Sequence, residues 1–158
     1  MKKTITACLM AMLPMAMSAQ TTEETASKHL DFLGVSIEGN IDDFTKRMQP
    51  KFKLKKRVGG ENYYIFEGPM FGYDVYAQVN YTRKSRTVYR VMVTPQNINT
   101  IAWQDSLVAR YGQPLETPQG QLFQMPGGKI LYYTPQGYDS AMIYLDSAGN
   151  GVFVEEKK

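Results

Sequence analysis

The stretch from Phe71 to Thr94, FGYDVYAQVNYTRKSRTVYRVMVT, predicts two long strands joined by a charged turn. From Phe71 to Tyr81 every second residue is apolar or aromatic, and the residues between them are mostly polar. Successive side chains of a strand point to opposite faces, so this alternation indicates one apolar face and one mostly polar face. After the turn at Thr82 to Arg86, a second strand from Thr87 to Thr94 extends the apolar face with Tyr89, Val91 and Val93.

The N-terminus has the layout of a secretory signal peptide. Lys2 and Lys3 precede an apolar run from Ile5 to Met17, and small residues follow at Ser18 and Ala19. We expect cleavage after Ala19, or after Ser18, which would place the small Ala16 three positions before the cut. The run is shorter than the ~20 residues of a spanning helix, which disfavours an uncleaved anchor. The expected location is therefore secreted or periplasmic.

The sequence divides at the predicted cleavage site into a leader and one domain. We assign 1–19 to the signal peptide, 20–28 to a flexible lead-in and 29–158 to a single domain. Cys8 lies within the leader, where the apolar run continues past it, so the pattern disfavours a lipoprotein. The mature chain is then expected to have no thiol chemistry and no disulfide.

Charge disfavours nucleic acid as a partner. The whole chain carries a formal net charge of +3, and removal of Lys2 and Lys3 lowers it to +1. A nucleic-acid-binding domain usually has a clear basic excess. We therefore predict no nucleic-acid binding. Because the apolar run lies within the leader, we also predict no membrane span after cleavage.

Two amphipathic helices are predicted, each followed by strands. The first runs from Ile41 to Gln49 behind the N-cap Asn40, and the second from about Asn97 to Tyr111. Segment 29–39 reads as an edge strand or extended arm. Further strands are predicted at 51–57, 63–67, 121–124, 129–134, 138–146 and 151–155. Gly68-Pro69 and Asn150-Gly151 read as turns, the latter as a tight hairpin.

The order of elements predicts an α+β fold: an antiparallel sheet with two helices on one face. A helix followed by strands occurs twice, with Gly-Gly or Gln-Gly turns in corresponding places, so we infer a duplicated unit with pseudo-repeats at 40–94 and 97–156. This arrangement resembles the tandem helix-and-sheet modules of the β-lactamase-inhibitor-protein-like group. The 34–41 opening and the 111–114 helix end resemble those of small secreted bacterial proteins of unknown function. The resemblance implies a binding or inhibitory sheet surface and no catalytic residues.

Motifs for catalysis and metal binding are absent from the sequence. His29 is the single histidine, no G-x-S-x-G elbow surrounds a serine, and no metal-ligand spacing occurs. Residues 146–151 begin like a calcium loop but lack its later acids, so we read a turn there. We therefore predict no cofactor, no metal and no enzymatic activity. The alternative class is an envelope enzyme that acts on glycan through a carboxylate pair, drawn from Asp42, Asp43, Glu61, Glu67, Asp74, Asp105, Glu116, Asp139 and Asp146.

Two basic patches and the tyrosines are the candidate binding residues. As a strand, 51–57 places Lys51, Lys53, Lys55 and Arg57 on one face, and the central turn carries three more cations. Solvated strand faces and edges that resist aggregation explain such patches equally well. The candidate set is Lys51, Lys53, Lys55, Arg57, Tyr63, Tyr76, Arg83, Lys84 and Arg86, with Tyr132, Tyr138 and Tyr144 as further tyrosines opposite the core or at its rim.

These residues favour an exported, non-enzymatic binding protein. The expected partner is a protein or an anionic glycan or other envelope component, because cations and tyrosines suit acidic and amphipathic surfaces. A structural part in envelope assembly is a further alternative. Nothing in the sequence selects an oligomeric state.

Overall fold

A computed structural model of the chain describes residues 31–125, 129–135 and 141–158. These residues form an α+β fold with a large antiparallel sheet, which confirms the predicted fold class. The strands are β1 (Asp31–Phe32), β2 (Val35–Ser36), β3 (Lys53–Val58), β4 (Tyr63–Met70), β5 (Tyr73–Tyr81), β6 (Val88–Pro95), β7 (Leu115–Thr117), β8 (Gly120–Met125), β9 (Lys129–Thr134) and β10 (Ala141–Leu145). The helices are α1 (Ile41–Met48), α2 (Thr100–Tyr111) and α3 (Ser147–Glu156).

The predicted central hairpin is β5 and β6, and it lies inside the eight-stranded sheet. The strand order is β3-β4-β5-β6-β10-β9-β8-β7. Each of α1 and α2 is thus followed by four strands paired in sequence order, and the last strands of the two sets, β6 and β10, pair with each other. This order agrees with the predicted duplication, which itself stays a prediction.

One face of the sheet, here called the inner face, forms the core with α1 and α2. Pairing aligns Phe66, Ala77, Val93, Met142 and Tyr133 across five strands, all of them buried. The helices add their own buried apolar stripes, namely Ile41, Phe44 and Met48 from α1 and Trp103 and Leu107 from α2. Burial of apolar surface at ~25 cal/mol per Å² is the main force that holds these layers together.

Asparagine side chains cap the N-termini of α1 and α2. The Asn40 side chain accepts a hydrogen bond from the Asp42 backbone N–H at 2.9 Å, as predicted for α1. The Asn99 side chain accepts from the backbone N–H groups of Ile101 and Ala102 at 3.1 and 3.2 Å. The second helix therefore begins at Thr100, three residues later than predicted. An asparagine at this position satisfies amide donors that have no partner within the helix.

The predicted turn at Gly68-Pro69 is wrong, because β4 continues to Met70. The chain turns instead at Phe71 and Gly72, whose φ angles are 53° and 82°. Gly68 has a packing role: a Cβ there would lie 2.5 Å from Cδ1 of the Phe52 ring. A glycine in a strand often marks such a close approach rather than a turn.

The predicted strand at 151–155 and the hairpin turn at Asn150-Gly151 are also wrong, because these residues belong to α3. A strand that folded back from β10 would need a free edge beside it. Both edges of β10 are already occupied, by β6 and β9. The segment therefore satisfies its backbone groups within a helix.

The segment before α1 forms a separate two-stranded hairpin rather than an edge strand of the large sheet. It buries Phe32, Val35 and Ile37 in the core, and the Phe32 ring lies 5.4 Å from that of Phe52. The predicted signal peptide, the lead-in, His29 and residues 138–140 lie outside the described residues. Among the residues that are described, no helix has the length and apolarity needed to span a membrane.

Candidate functional site

The face of the sheet opposite α1 and α2, here called the outer face, carries an unusual number of apolar side chains. One set of paired residues crosses all eight strands. We call it the cross-sheet row, and it consists of Leu115, Leu122, Tyr132, Ile143, Met92, Gln78, Ile65 and Lys56. At ~4.8 Å between neighbouring strands, the row is about 34 Å long.

Six of the eight side chains in the cross-sheet row are aliphatic or aromatic, and they are partly exposed. Leu115 exposes 53% of its surface, and Ile130, in the neighbouring row, exposes 37%. Leu122, Ile143 and Met92 are half-buried. An antiparallel sheet that faces water usually carries polar residues on that side, so the apolar run from Leu115 to Met92, which crosses five strands before Gln78, is a candidate contact surface.

The β3 end of the outer face is basic, but not in the predicted arrangement. Pairing places Lys53 beside Glu67 and Lys56 beside Ile65, with a bulge between Leu54 and Lys56. The bulge inserts one residue, so Arg57 pairs with Tyr64 of the inner face and its guanidinium lies 5.3 Å from that ring. The prediction that Arg57 shares a face with Lys53 and Lys55 is therefore wrong.

Lysine side chains remain available at this end of the face. The Lys55 ammonium binds the Glu67 carboxylate at 2.7 Å, and this hydrogen bond and the charge of Glu67 raise the pKa of Lys55. Within the described part of the chain, Lys53 and Lys56 have no ion-pair partner. The outer face thus carries net positive charge along β3.

A shallow groove joins the basic end to Tyr76. It has a volume of about 420 Å³ and is lined by Lys55, Lys56, Ile65, Tyr76, Gln78 and Thr94. Tyr76 is 39% exposed and pairs with Glu67, and Tyr63 lies on the same face beside Asn80. Burial, followed by the nearby Glu61 charge, raises the pKa of Tyr63. The hydroxyl of each tyrosine can donate or accept a hydrogen bond.

Tyr144 and Tyr132, two further tyrosines of the prediction, lie on opposite faces of the sheet. Tyr144 is fully buried on the inner face, where its hydroxyl lies 2.8 Å from that of Tyr111, so the expectation that it lies opposite the core or at its rim is wrong. Burial raises the pKa of Tyr144 well above its ordinary value. Tyr132 belongs to the cross-sheet row, whereas Tyr138 lies outside the described residues.

Lys51 and Arg86 make contacts that stabilise the fold. The Lys51 ammonium donates to the Leu33 carbonyl at 2.8 Å and so ties the start of β3 to the β1–β2 hairpin. The Arg86 guanidinium donates to both carboxylate oxygens of Asp42, at 3.0 and 2.9 Å, and lies 5.3 Å from the Tyr81 ring. These two cations therefore belong to no shared binding patch.

Arg83 and Lys84 are exposed at the turn between β5 and β6, beside α3. The backbone N–H groups of Lys84 and Ser85 each donate to the Glu156 carboxylate of α3 at 2.8 Å. Hydrogen bonding from the Ser85 side chain and from these N–H groups lowers the pKa of Glu156 to about 2. The turn and α3 thus form the two walls of a cleft, and the cleft is separate from the cross-sheet row.

Several of the candidate acids that are described contact cations or an amide. Asp42 binds Arg86, Glu67 binds Lys55, and Asp43 binds Lys46 at 3.1 Å. Glu116 accepts a hydrogen bond from Gln121 at 2.8 Å. Among the described residues no three His, Cys, Asp or Glu side chains are grouped as metal ligands would be. Asp139 lies outside the described residues, and the enzyme alternative stays a prediction.

Sequence reasoning missed Lys56 and the aliphatic part of the outer face. The segments 130–133 and 142–145 are apolar in both phases, ILYY and MIYL, and this is the pattern of a strand with apolar side chains on both faces. It also missed Phe153, Glu156 and Lys157, because it assigned 151–155 to a strand and so did not expect a helix that ends at Glu156.

No family model, curated protein or solved structure matches the chain. The resemblance to β-lactamase-inhibitor-protein-like modules stays a prediction.

Proposed function

We propose that this protein is an exported, non-enzymatic binding protein that holds a protein partner on the outer face of its sheet. The observation that carries the proposal is the cross-sheet row, which is apolar, partly exposed and bordered by lysines. Such a surface matches a partner segment that has apolar side chains and carboxylates next to them.

The two ends of the outer face supply different interactions. Leu122, Tyr132 and Ile143 offer apolar area, whereas Lys53, Lys55 and Lys56 offer charge roughly 20–30 Å away across the sheet. Burial of the apolar end would provide most of the binding free energy, and the charged end would fix the orientation and speed the encounter. The dimensions of the face, about 34 Å across the strands, suit a standard interface of ~800 Å² per partner.

A crosslinking experiment tests the face. A photoreactive amino acid replaces Gln78 in the cross-sheet row, and a control replaces the exposed Asp105 of α2. We expect a protein adduct from position 78 in an envelope extract of a secretion-competent bacterium, and none from position 105. The captured protein is then purified for direct binding measurements.

The binding measurements compare two variants with the parent chain. Ile143→Lys should weaken binding at least tenfold at any ionic strength. Charge reversal of Lys53 and Lys56 to Glu should weaken binding mainly at low salt, because screening removes that contribution above ~0.5 M. Equal binding by both variants and the parent would refute the proposal, and so would an adduct made only of two copies of this chain.

A further inference from the structure

We propose a second site, in the cleft between the β5–β6 turn and α3, that binds a small molecule in which one carboxylate is attached to a ring. The cleft has a volume of about 340 Å³, which is within the range of sites that enclose small ligands. It does not involve the cross-sheet row, so this inference goes beyond the proposed function and does not depend on it.

The walls of the cleft are fixed by contacts between segments distant in sequence. Glu156 accepts from the backbone N–H groups of Lys84 and Ser85, and the Phe153 ring stacks on Tyr89 with centroids 4.4 Å apart. The backbone N–H of Asp146 donates to the Tyr89 carbonyl at 3.2 Å, which anchors the start of α3. The cleft is therefore present before any ligand arrives, which lowers the entropic cost of binding.

Tyr89 reaches this site because of a bulge. The pairing of β5 with β6 shifts between Asn80 and Tyr81, so Tyr89 lies between paired positions. It is buried, but it lies outside the core cluster that contains Val91 and Val93, which corrects the prediction that all three share one face. Tyr89 and Phe153 both line the cleft, and because Lys157 lies over Phe153 at 4.5 Å and Arg90 over Tyr89 at 5.8 Å, the stacked pair offers ring edges to a ligand. Ring edges pack well against the face of another ring.

Charge selects the ligand class. The cations Arg83, Lys84 and Lys157 line the cleft with the carboxylates of Glu61 and Glu156, so one net positive charge remains. Within the described part of the chain, Arg83 and Lys84 form no ion pair. A single carboxylate matches this balance, whereas a phosphate dianion would be repelled by the two glutamates. Asn62 and Glu61 add hydrogen-bonding groups that suit hydroxyls on the ring.

Two classes of ligand combine a ring with one carboxylate: aromatic acids and sugar acids. Calorimetric titration of the whole mature chain distinguishes them. The probes are benzoate and glucuronate, with benzamide and glucose as uncharged counterparts and acetate as a carboxylate without a ring. We expect one or both ring acids to bind with a dissociation constant below about 10 mM, and the three controls to bind at least tenfold more weakly.

Variants identify the cleft as the binding site. Arg83→Ala combined with Lys84→Ala should weaken ring-acid binding at least tenfold, because both side chains are exposed and the Lys84 backbone N–H still reaches Glu156. Lys46→Ala, which removes an exposed lysine of α1, is the matched control and should leave binding unchanged. The inference is overturned if neither ring acid binds, if acetate binds as tightly, or if the double variant binds like the parent.

Discussion

Replacement of Gly68 by alanine should destabilise the fold through a single steric conflict. The new Cβ would lie 2.5 Å from Cδ1 of Phe52 and 2.8 Å from the Lys51 carbonyl oxygen. Phe52 is 3% exposed and its ring packs against that of Phe32 with centroids 5.4 Å apart, so it has little freedom to move away. Overpacking of this kind typically costs ~1–3 kcal/mol, and the backbone contact places Gly68→Ala towards the upper part of that range.

Chemical denaturation of the mature chain measures this cost. A loss of ~2 kcal/mol corresponds to roughly a 30-fold change in the unfolding equilibrium constant. The control is Gly60→Ala, which has no neighbouring atom within 4 Å of its new Cβ and should change stability by less than ~0.5 kcal/mol.

A double variant distinguishes steric conflict from a general intolerance of side chains at position 68. Phe52→Leu removes the ring atoms that meet the new methyl group. The losses of stability caused by Phe52→Leu and by Gly68→Ala should therefore not be additive. We expect the double variant to lose at least ~1 kcal/mol less unfolding free energy than the two single variants lose together. Strict additivity, or a neutral Gly68→Ala, would refute the packing argument.

Three further predictions concern the helices. Asn99→Ala should cost ~1 kcal/mol in denaturation experiments, because two α2 amides lose their acceptor, whereas Asn99→Gly should cost only a few tenths. Gly151→Ala should stabilise α3 by ~0.5–1 kcal/mol, since its Cβ meets no atom within 4 Å, and unchanged amide exchange in α3 would contradict this. The pKa of Glu156 is lowered to about 2, so its contribution to α3 docking is complete above its ordinary value near 4.5 and is lost as pH falls towards 2. Exchange of the Ser85 amide should therefore rise over that range, and Glu156→Gln should abolish the pH dependence.

Local chemistry was enough to predict much of the fold from the sequence. The alternation from Phe71 to Tyr81 placed β5, and Asn40 placed the start of α1, because strand periodicity and helix capping depend on neighbouring residues alone. The antiparallel class followed from short connections between strands. The cations of β3 were recognised as a candidate site, but their distribution over two faces was not.

Two features of the fold were decided by the tertiary structure. The bulge after Leu54 turns Arg57 away from Lys53, and a single inserted residue of this kind has no local signature in K-F-K-L-K-K-R. Residues 151–155 read as a strand, yet they form a helix, because β6 and β10 pair in the middle of the sheet and leave β10 no free edge.

Sequence alone therefore determined the strands and helices wherever strand alternation or a helix cap was present in the local sequence. The position of each strand among its neighbours decided which side chains share the outer face and which segments close the cleft, because both depend on pairings between residues that are far apart in the chain.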